Sequence, residues 1–263
     1  MTGAVGSGRR IFARMTFLTV FRLLAIAALS PTLVNPAAGA TKRQVVLELY
    51  TSQGCSTCPS ADGLIGRLAD RADLLALTLP ITYWDMLGWK DTLASEANTH
   101  RQKSYAATMG RGGVYTPQII VDGIADVVGS REGQLDAAIN ARRADIHEIP
   151  VALSVSSDAV HIEIGASPEK TADDATVWMF HVLGHASVRI GAGENKGRRV
   201  DYRNVVRDIR AVAIWRGSPL SLDVPRGDQG LPAYDSIAVL VQEGGYGRII
   251  GARLIGPFDT RQR

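Results

Sequence analysis

Glu48-Leu49-Tyr50-Thr51-Ser52-Gln53-Gly54-Cys55-Ser56-Thr57-Cys58-Pro59 holds both cysteines of the 263-residue chain, at a C-x-x-C spacing. Ahead of it, Val45 to Tyr50 is an apolar alternating run that reads as a strand. Behind it, Ala61, Leu64, Ile65, Leu68 and Ala72 fall at i, i+3, i+4, i+7 and i+11, the period of a helix buried on one side. The local order is strand, dithiol, helix, with Pro59 or Ser60 near the first helical turn.

The N-terminus has a separate character. Arg9, Arg10, Arg14 and Arg22 lead into the apolar run Leu23 to Leu29, and Ala37-Ala38-Gly39-Ala40 supplies an A-x-A cleavage pattern. Residues 1–40 therefore read as a secretory signal, with a mature start near Thr41 and a periplasmic or secreted destination. The alternative is an uncleaved anchor, for which Arg22 and Pro31 leave a short apolar stretch. The segment holds four of the 29 Lys and Arg and none of the 26 Asp and Glu, so 25 basic residues face 26 acidic ones in the remainder, a net −1. The basic balance of the whole chain belongs to the targeting segment. It gives no ground for a nucleic-acid partner, or for a membrane partner beyond export.

From residue 41 to 148 strands and helices alternate. Strands are expected at Val45–Tyr50, Leu74–Trp84 with Pro80 inside it, Val114–Val121 and Ile124–Val128; helices are expected at Ser60–Asp73, Leu93–Met109 and Glu132–Asp145. Asp122-Gly123 is a hairpin signal, and Asp91 or Thr92 is placed to cap the second helix. Beyond Pro150 no helical period is evident. Alternating runs at Val151–Val155 and Val160–Ile164 are followed by short runs at 176–183, 187–190, 204–209, 211–215, 236–241 and 248–255, separated mostly by Gly, Pro, Asn or Asp. That pattern predicts a second, all-β antiparallel, sandwich-like domain over 149–263.

A thiolate is the reactive form of cysteine, and the unpaired N–H groups of a helix start favour its negative charge. Cys55 is read as the nucleophile and Cys58, one turn on, as the resolving thiol of a thiol–disulfide exchange. A bridge spanning so short a loop restrains the unfolded chain little. A fixed structural disulfide and a copper or zinc clip remain the other readings of the motif, although His100, His147, His161, His181 and His185 lack ligand spacing to it. We assign no cofactor and no metal. Thr116-Pro117 is a place where a cis proline can stand beside the dithiol and leave a backbone edge for an extended substrate. Glu48 can take the proton of Cys58 if its carboxylate points beneath the helix start. Tyr83, Trp84, Met86 and Trp89 form either a substrate rim or ordinary packing. Arg207 is placed to pair with Glu194 or to bind an anion.

Two resemblances add to this. The order of elements over about 43–147 is similar to the thioredoxin fold, which implies a cis Pro117. It departs from that fold in lacking Gly-Pro between the cysteines, in having Gly54 before the first, and in placing the acid one residue further away. Residues 48–62, Tyr-Trp-Asp-Met-Leu-Gly-Trp-Lys-Asp (83–91), Val-Tyr-Thr-Pro-Gln (114–118), Gly-Glu-Asn-Lys-Gly (193–197) and Arg-Asn-Val-Val-Arg (203–207) together resemble the DUF1223 family of secreted proteins with a thioredoxin-like domain. That resemblance implies a fold and a redox site without fixing a reaction. The expectation is an α/β thioredoxin-like domain (41–148) followed by the β domain (149–263). Its function would be thiol–disulfide oxidoreduction through Cys55 and Cys58, with Pro117 and Glu48 assisting and Thr116, Tyr83, Trp84 and Trp89 meeting substrate. Partners would be protein thiols or disulfides, or a redox relay. A non-enzymatic envelope binding or assembly protein is the alternative.

Overall fold

Every residue of β1 (Val45–Thr51) is buried, so each side of the strand meets protein. Leu47 and Leu49 pack with Ala61, Leu64, Ile65 and Leu68 of α1 (Cys58–Leu68) and with Leu135 and Ile139 of α3 (Glu132–Arg143). Val46 and Tyr50 belong to a second cluster with Leu75, Leu77, Leu79 and Tyr105 of α2 (Glu96–Thr108). On its edges β1 pairs in parallel with β2 (Leu74–Pro80) and antiparallel with β3 (Gln118–Val121). β3 turns at Asp122 and Gly123 into β4 (Ala125–Val128). Their φ values of 46° and 77° are both positive, the hairpin geometry that Asp-Gly favours.

The structure is a computed structural model that describes residues 1, 3, 44–143, 149–167, 174–227 and 230–258. The expected signal segment lies almost wholly outside the described residues. Lys42–Arg263 forms one compact unit, and no helix among the described residues is long and apolar enough to cross a membrane.

The later strands are β5 (Val151–Val155), β6 (Ala159–Ile164), β7 (Ala175–Arg189), β8 (Arg199–Trp215), β9 (Leu220–Pro225), β10 (Ser236–Glu243) and β11 (Ile249–Ile255). They correct the expected architecture. An α/β thioredoxin-like domain followed by a separate all-β sandwich is not what the chain forms: eight strands, in the order β11-β10-β7-β8-β2-β1-β3-β4, make one mixed sheet drawing on both stretches. With eleven strands against three α-helices among the described residues, the protein is mostly β. The remaining strands, in the order β5-β6-β9, form a small sheet. Its Val160, Ile162 and Ile164 bury against Val177, Met179, Val239 and Val241 of the large one.

The physical reason lies at the seam. β2 is buried throughout, so its free edge needs a partner, and β8 supplies it in parallel at Thr78 and Val205. Side chains extend this short ladder. Thr78 Oγ1 donates to Arg203 O at 2.7 Å, Asn204 Nδ2 to Ala76 O at 3.0 Å, and Asn98 Nδ2 to Pro80 O at 3.0 Å and Val206 O at 3.3 Å. Asn204 adopts φ 48°, tolerated by Asn in the left-handed region. Gly184 reads as a strand break and Asn204 as the start of the run 204–209; both lie inside long strands, and the β7–β8 pairing continues past them from Leu183–Val205 to His185–Arg203.

A buried ion pair within the first stretch is enclosed by groups from the second. Arg101 of α2, 2% exposed, donates from Nε and Nη2 to the two carboxylate oxygens of Glu48 at 2.6 and 3.1 Å. Nη2 also reaches the Tyr105 hydroxyl at 3.0 Å and Gln242 Oε1 at 2.9 Å. The rings of Tyr105, Trp178, Phe180 and Tyr246 surround the guanidinium at 4.9–5.7 Å, a favourable setting for a desolvated cation. Removing one partner strands the other charge. Arg101→Met is expected to lower the urea-unfolding free energy by about 3–5 kcal/mol, and the double change Glu48→Leu/Arg101→Met to recover more than half of that. A double variant no more stable than Arg101→Met alone would contradict this account.

Candidate functional site

β1 ends at Thr51, and the chain turns through Ser52-Gln53-Gly54 before α1 begins at Cys58. Ser52 shapes the turn, its Oγ accepting from Gly54 N at 3.1 Å and its carbonyl from Cys55 N at 3.1 Å. Cys55 and Cys58 are joined in a disulfide with Cα atoms 5.4 Å apart. Both are buried, at 1% and 0% exposure, whereas Ser56 and Thr57 between them are exposed. Cys58 is the first residue of α1, Pro59 follows in its first turn where the missing N–H costs nothing, and Cys55 precedes the helix by three residues.

One turn beyond Cys58, on the same buried face of α1, lies Asp62. Residues four apart on a helix are neighbours. Asp62 Oδ1 accepts from Thr51 Oγ1 at 2.7 Å, while Oδ2 has no partner among the described residues. Burial pushes the carboxyl up to about 8, against the Thr51 hydrogen bond that lowers it, and the nearby Asp91 charge adds to the rise. Burial likewise raises Asp91. Tyr202, buried and raised first by desolvation, also feels both carboxylates, so the three groups share one polar interior behind the disulfide.

Two separate segments hold the cysteine loop. Asp91 accepts from Gln53 N at 2.8 Å through one oxygen and from Leu93 N and Ala94 N at 2.8 and 3.1 Å through the other. It thus staples the loop to the approach of α2, whose own cap is Ser95. Trp89 Nε1 donates to Gln53 Oε1 at 2.8 Å. From the tip of the β7–β8 hairpin, Asn195 Nδ2 donates to Gln53 O at 3.0 Å and to Cys55 O at 2.8 Å.

Thr116-Pro117 is cis, as the sequence reading expected. A Cβ added at Gly129 would come within 2.9 Å of Ala61 Cβ and 3.0 Å of Pro117 Cβ, so the proline loop approaches the first turns of α1 across a single glycine. Trp84 completes this side: its Nε1 donates to Thr116 Oγ1 at 2.8 Å, and its backbone and Cβ lie against Gly54, where a Cβ would sit 3.3 Å from each. Gly54 thus leaves room for the close approach of Trp84. Tyr83, Trp84 and Trp89 are half-buried and pack on cores of the sheet and hairpin, whereas Met86 is exposed.

Glu48 is placed elsewhere. Side chains alternate along a strand, so Glu48 projects from β1 on the side of Val46 and Tyr50, while Leu47, Leu49 and Thr51 face α1. It is fully buried in the Arg101 pair, and the condition for it to serve Cys58, a carboxylate beneath the helix start, is met by Asp62. Arg207 donates from Nη1 to Leu93 O at 2.7 Å, and Glu194 is exposed. Among the described residues no group of three or more His, Cys, Asp or Glu side chains is placed to hold a metal.

Residues 46–242 match the family described as "Protein of unknown function (DUF1223)". The chain belongs to the DUF1223 family. Its structure is similar to the crystal structure of protein AGR_C_4864 from Agrobacterium tumefaciens, at 32% identity and a TM-score of 0.72, over 83% of this chain and 96% of that one. It also shares a fold with HBP35 of Porphyromonas gingivalis, at 12% identity and a TM-score of 0.58, over 84% and 77% of the two chains. No curated protein matches. In this DUF1223 chain the quoted motifs 48–62, 83–91, 114–118 and 193–197 converge on the disulfide. Sequence reasoning missed Asp62, although an acid between Ala61 and Ile65 in an otherwise apolar helix face was a visible signal. It read Asn195 only as part of a turn.

The pH dependence follows from Asp62. Its folded value near 8 lies above the roughly 3.9 of an unfolded aspartate, so between these values the folded state keeps a proton that the unfolded state has lost. Stability from this group is full below about pH 4 and falls as pH rises towards 8, by at most about 1.4 kcal/mol per unit. Urea unfolding of Asp62→Asn and wild type at pH 5 and 7.5 is expected to show the variant gaining relative to wild type at the higher pH. A constant difference between the two would remove Asp62 as the titrating group.

Proposed function

We propose that this chain is an exported thiol–disulfide oxidoreductase that exchanges disulfides with protein thiols through Cys55 and Cys58. The observation that carries the reading is the placement of Asp62: a buried carboxyl with one unpartnered oxygen, one helical turn from Cys58 and on its side of α1. A substrate thiolate attacks Cys55 Sγ, the Cys55–Cys58 bond breaks, and Cys58 leaves as a thiolate that takes up a proton. A second substrate thiolate then displaces Cys55, leaving an oxidised substrate and a protein dithiol, with two electrons passed to the protein. The same steps run backwards when the partner is a disulfide. In that reverse direction Cys58 must lose its proton to attack, and Asp62 is the group placed to accept it. Thr116 and Pro117, tied to the loop through Trp84, line the approach. The arginine-rich N-terminal segment and its A-x-A pattern support export.

A second reading is favoured by one observation. Both cysteines are almost completely buried, as a fixed bridge in a non-enzymatic envelope protein would be.

Three measurements separate them. The Cys58→Ser protein is expected to capture a thiol partner as a mixed disulfide on Cys55, and the wild type to speed reduction of insulin by dithiothreitol at least tenfold over Cys55→Ser. Equilibration with glutathione should place the pair among known oxidoreductases, about −120 to −270 mV. A potential well below about −300 mV, with no capture by Cys58→Ser, would establish the fixed bridge instead.

A further inference from the structure

Exchange needs a thiolate to reach one of the two sulfurs, and both cysteines are covered. On the Cys55 side the tip of the β7–β8 hairpin is bonded to the backbone of the cysteine loop. Asn195, 1% exposed, holds the Gln53 and Cys55 carbonyls together, while the residues flanking it, Glu194 and Lys196, are exposed. The tip rests on Trp89: a Cβ at Gly191 would fall 2.9 Å from the indole ring and one at Gly193 3.2 Å from Trp89 Cβ. Gly193 and Gly197 turn the chain at φ 72° and 84°.

The hairpin that carries this tip is differently supported along its length. Up to Val182 strand β7 is flanked by β10, and near Val205 strand β8 is flanked by β2. Beyond those points, from His185–Arg203 to Arg189–Arg199, the two strands pair only with each other. The ribbon is anchored by the buried cluster of Ile190, Val200 and Tyr202 with Leu93 and Trp89, whereas residues 191–198 beyond that cluster are fastened to the cysteine loop by the Trp89 contact and the two Asn195 hydrogen bonds. Each such bond contributes on the order of 1 kcal/mol net, so it holds the tip closed while leaving it able to open.

We propose that residues 191–198 form a latch over the dithiol, with Asn195 as its positioning residue, and that release of Asn195 from the Cys55 carbonyl is what admits a substrate thiol. The proposal rests on the redox reading above and states how access to that same site is regulated. Asn195 touches neither sulfur; it acts through the backbone of the Cys55 loop. Its effect is therefore on rate in both directions of exchange and not on the position of equilibrium.

The test uses the full mature chain. Asn195→Ala and the isosteric Asn195→Asp, which cannot donate to the two carbonyls, are compared with wild type and with Glu194→Ala, an exposed neighbour on the same tip. Reduction of the bridge by dithiothreitol and its re-formation by oxidised glutathione are followed by thiol titration at 25 °C, well below the melting temperature of each variant. Both Asn195 variants are expected to react about tenfold faster or more in each direction, with an unchanged equilibrium against glutathione and no change in Glu194→Ala. If one variant fails to fold, the other carries the comparison. Rates within twofold of wild type, alongside insulin turnover by the wild type, would overturn the latch and leave the redox reading standing. A gain in one direction only, with a shifted equilibrium, would show that Asn195 stabilises one redox form and is no latch. Resistance of every variant to dithiothreitol under folded conditions would overturn the redox reading and the latch with it.

Discussion

The Glu48–Arg101 pair is the constraint on which the arrangement turns. Two opposite charges at almost zero exposure persist only where the pair is well oriented and joined by further hydrogen bonds. That orientation is supplied by β1, α2 and β10 together, through Tyr105 and Gln242. A shift of any of these elements loosens the pair, so β1, α2 and β10 are held to one geometry. The lock sits on the α2 side of the central sheet, while the disulfide and Asp62 belong to the α1 side. One strand thus separates the group that fixes the fold from the groups proposed for chemistry.

The local elements were largely legible in the sequence. The period of α1, the Asp122-Gly123 turn and the alternation in β5 and β6 depend on neighbours in the chain, and each lies close to where the residues put it. What the sequence hid was the seam. Gly184 looks like a break, since its propensity opposes a strand, and the run expected at 204–209 begins inside β8 rather than at its start; yet the β7–β8 pairing passes through both, and hydrogen bonds from Asn204 to Ala76 and from Thr78 to Arg203 hold that stretch. The long β7–β8 hairpin therefore read as four short strands. A large mixed sheet read as two domains, and the likeness of the first stretch to a thioredoxin order strengthened the error.

The site was legible in part for the same reason. Cys55 and Cys58 announce themselves through their own chemistry, and the cis Thr116-Pro117 bond followed from the likeness to the thioredoxin order. Glu48 looked suitable because distance along the chain says nothing about which side of a strand a carboxylate takes, and register with β2 and β3 decides that. Asp62 was written into the buried face of α1. Asn195 stood in the quoted stretch 193–197, but nothing local showed its role, which consists of bonds to a loop 140 residues earlier.

The parallel contact between β2 and β8 also shapes how the chain is made. A strand completed at residue 80 waits for a partner that is not synthesised until residue 205, and until then its leucine-rich edge stays open. Contacts of such long sequence separation close slowly. The nascent first half therefore has no finished sheet to commit to, and an exposed edge of this kind invites pairing with other chains. The sheet becomes self-contained only when nearly the whole polypeptide is present, which makes folding a late and concerted event and the unfinished chain a natural client for whatever guards unpaired strands.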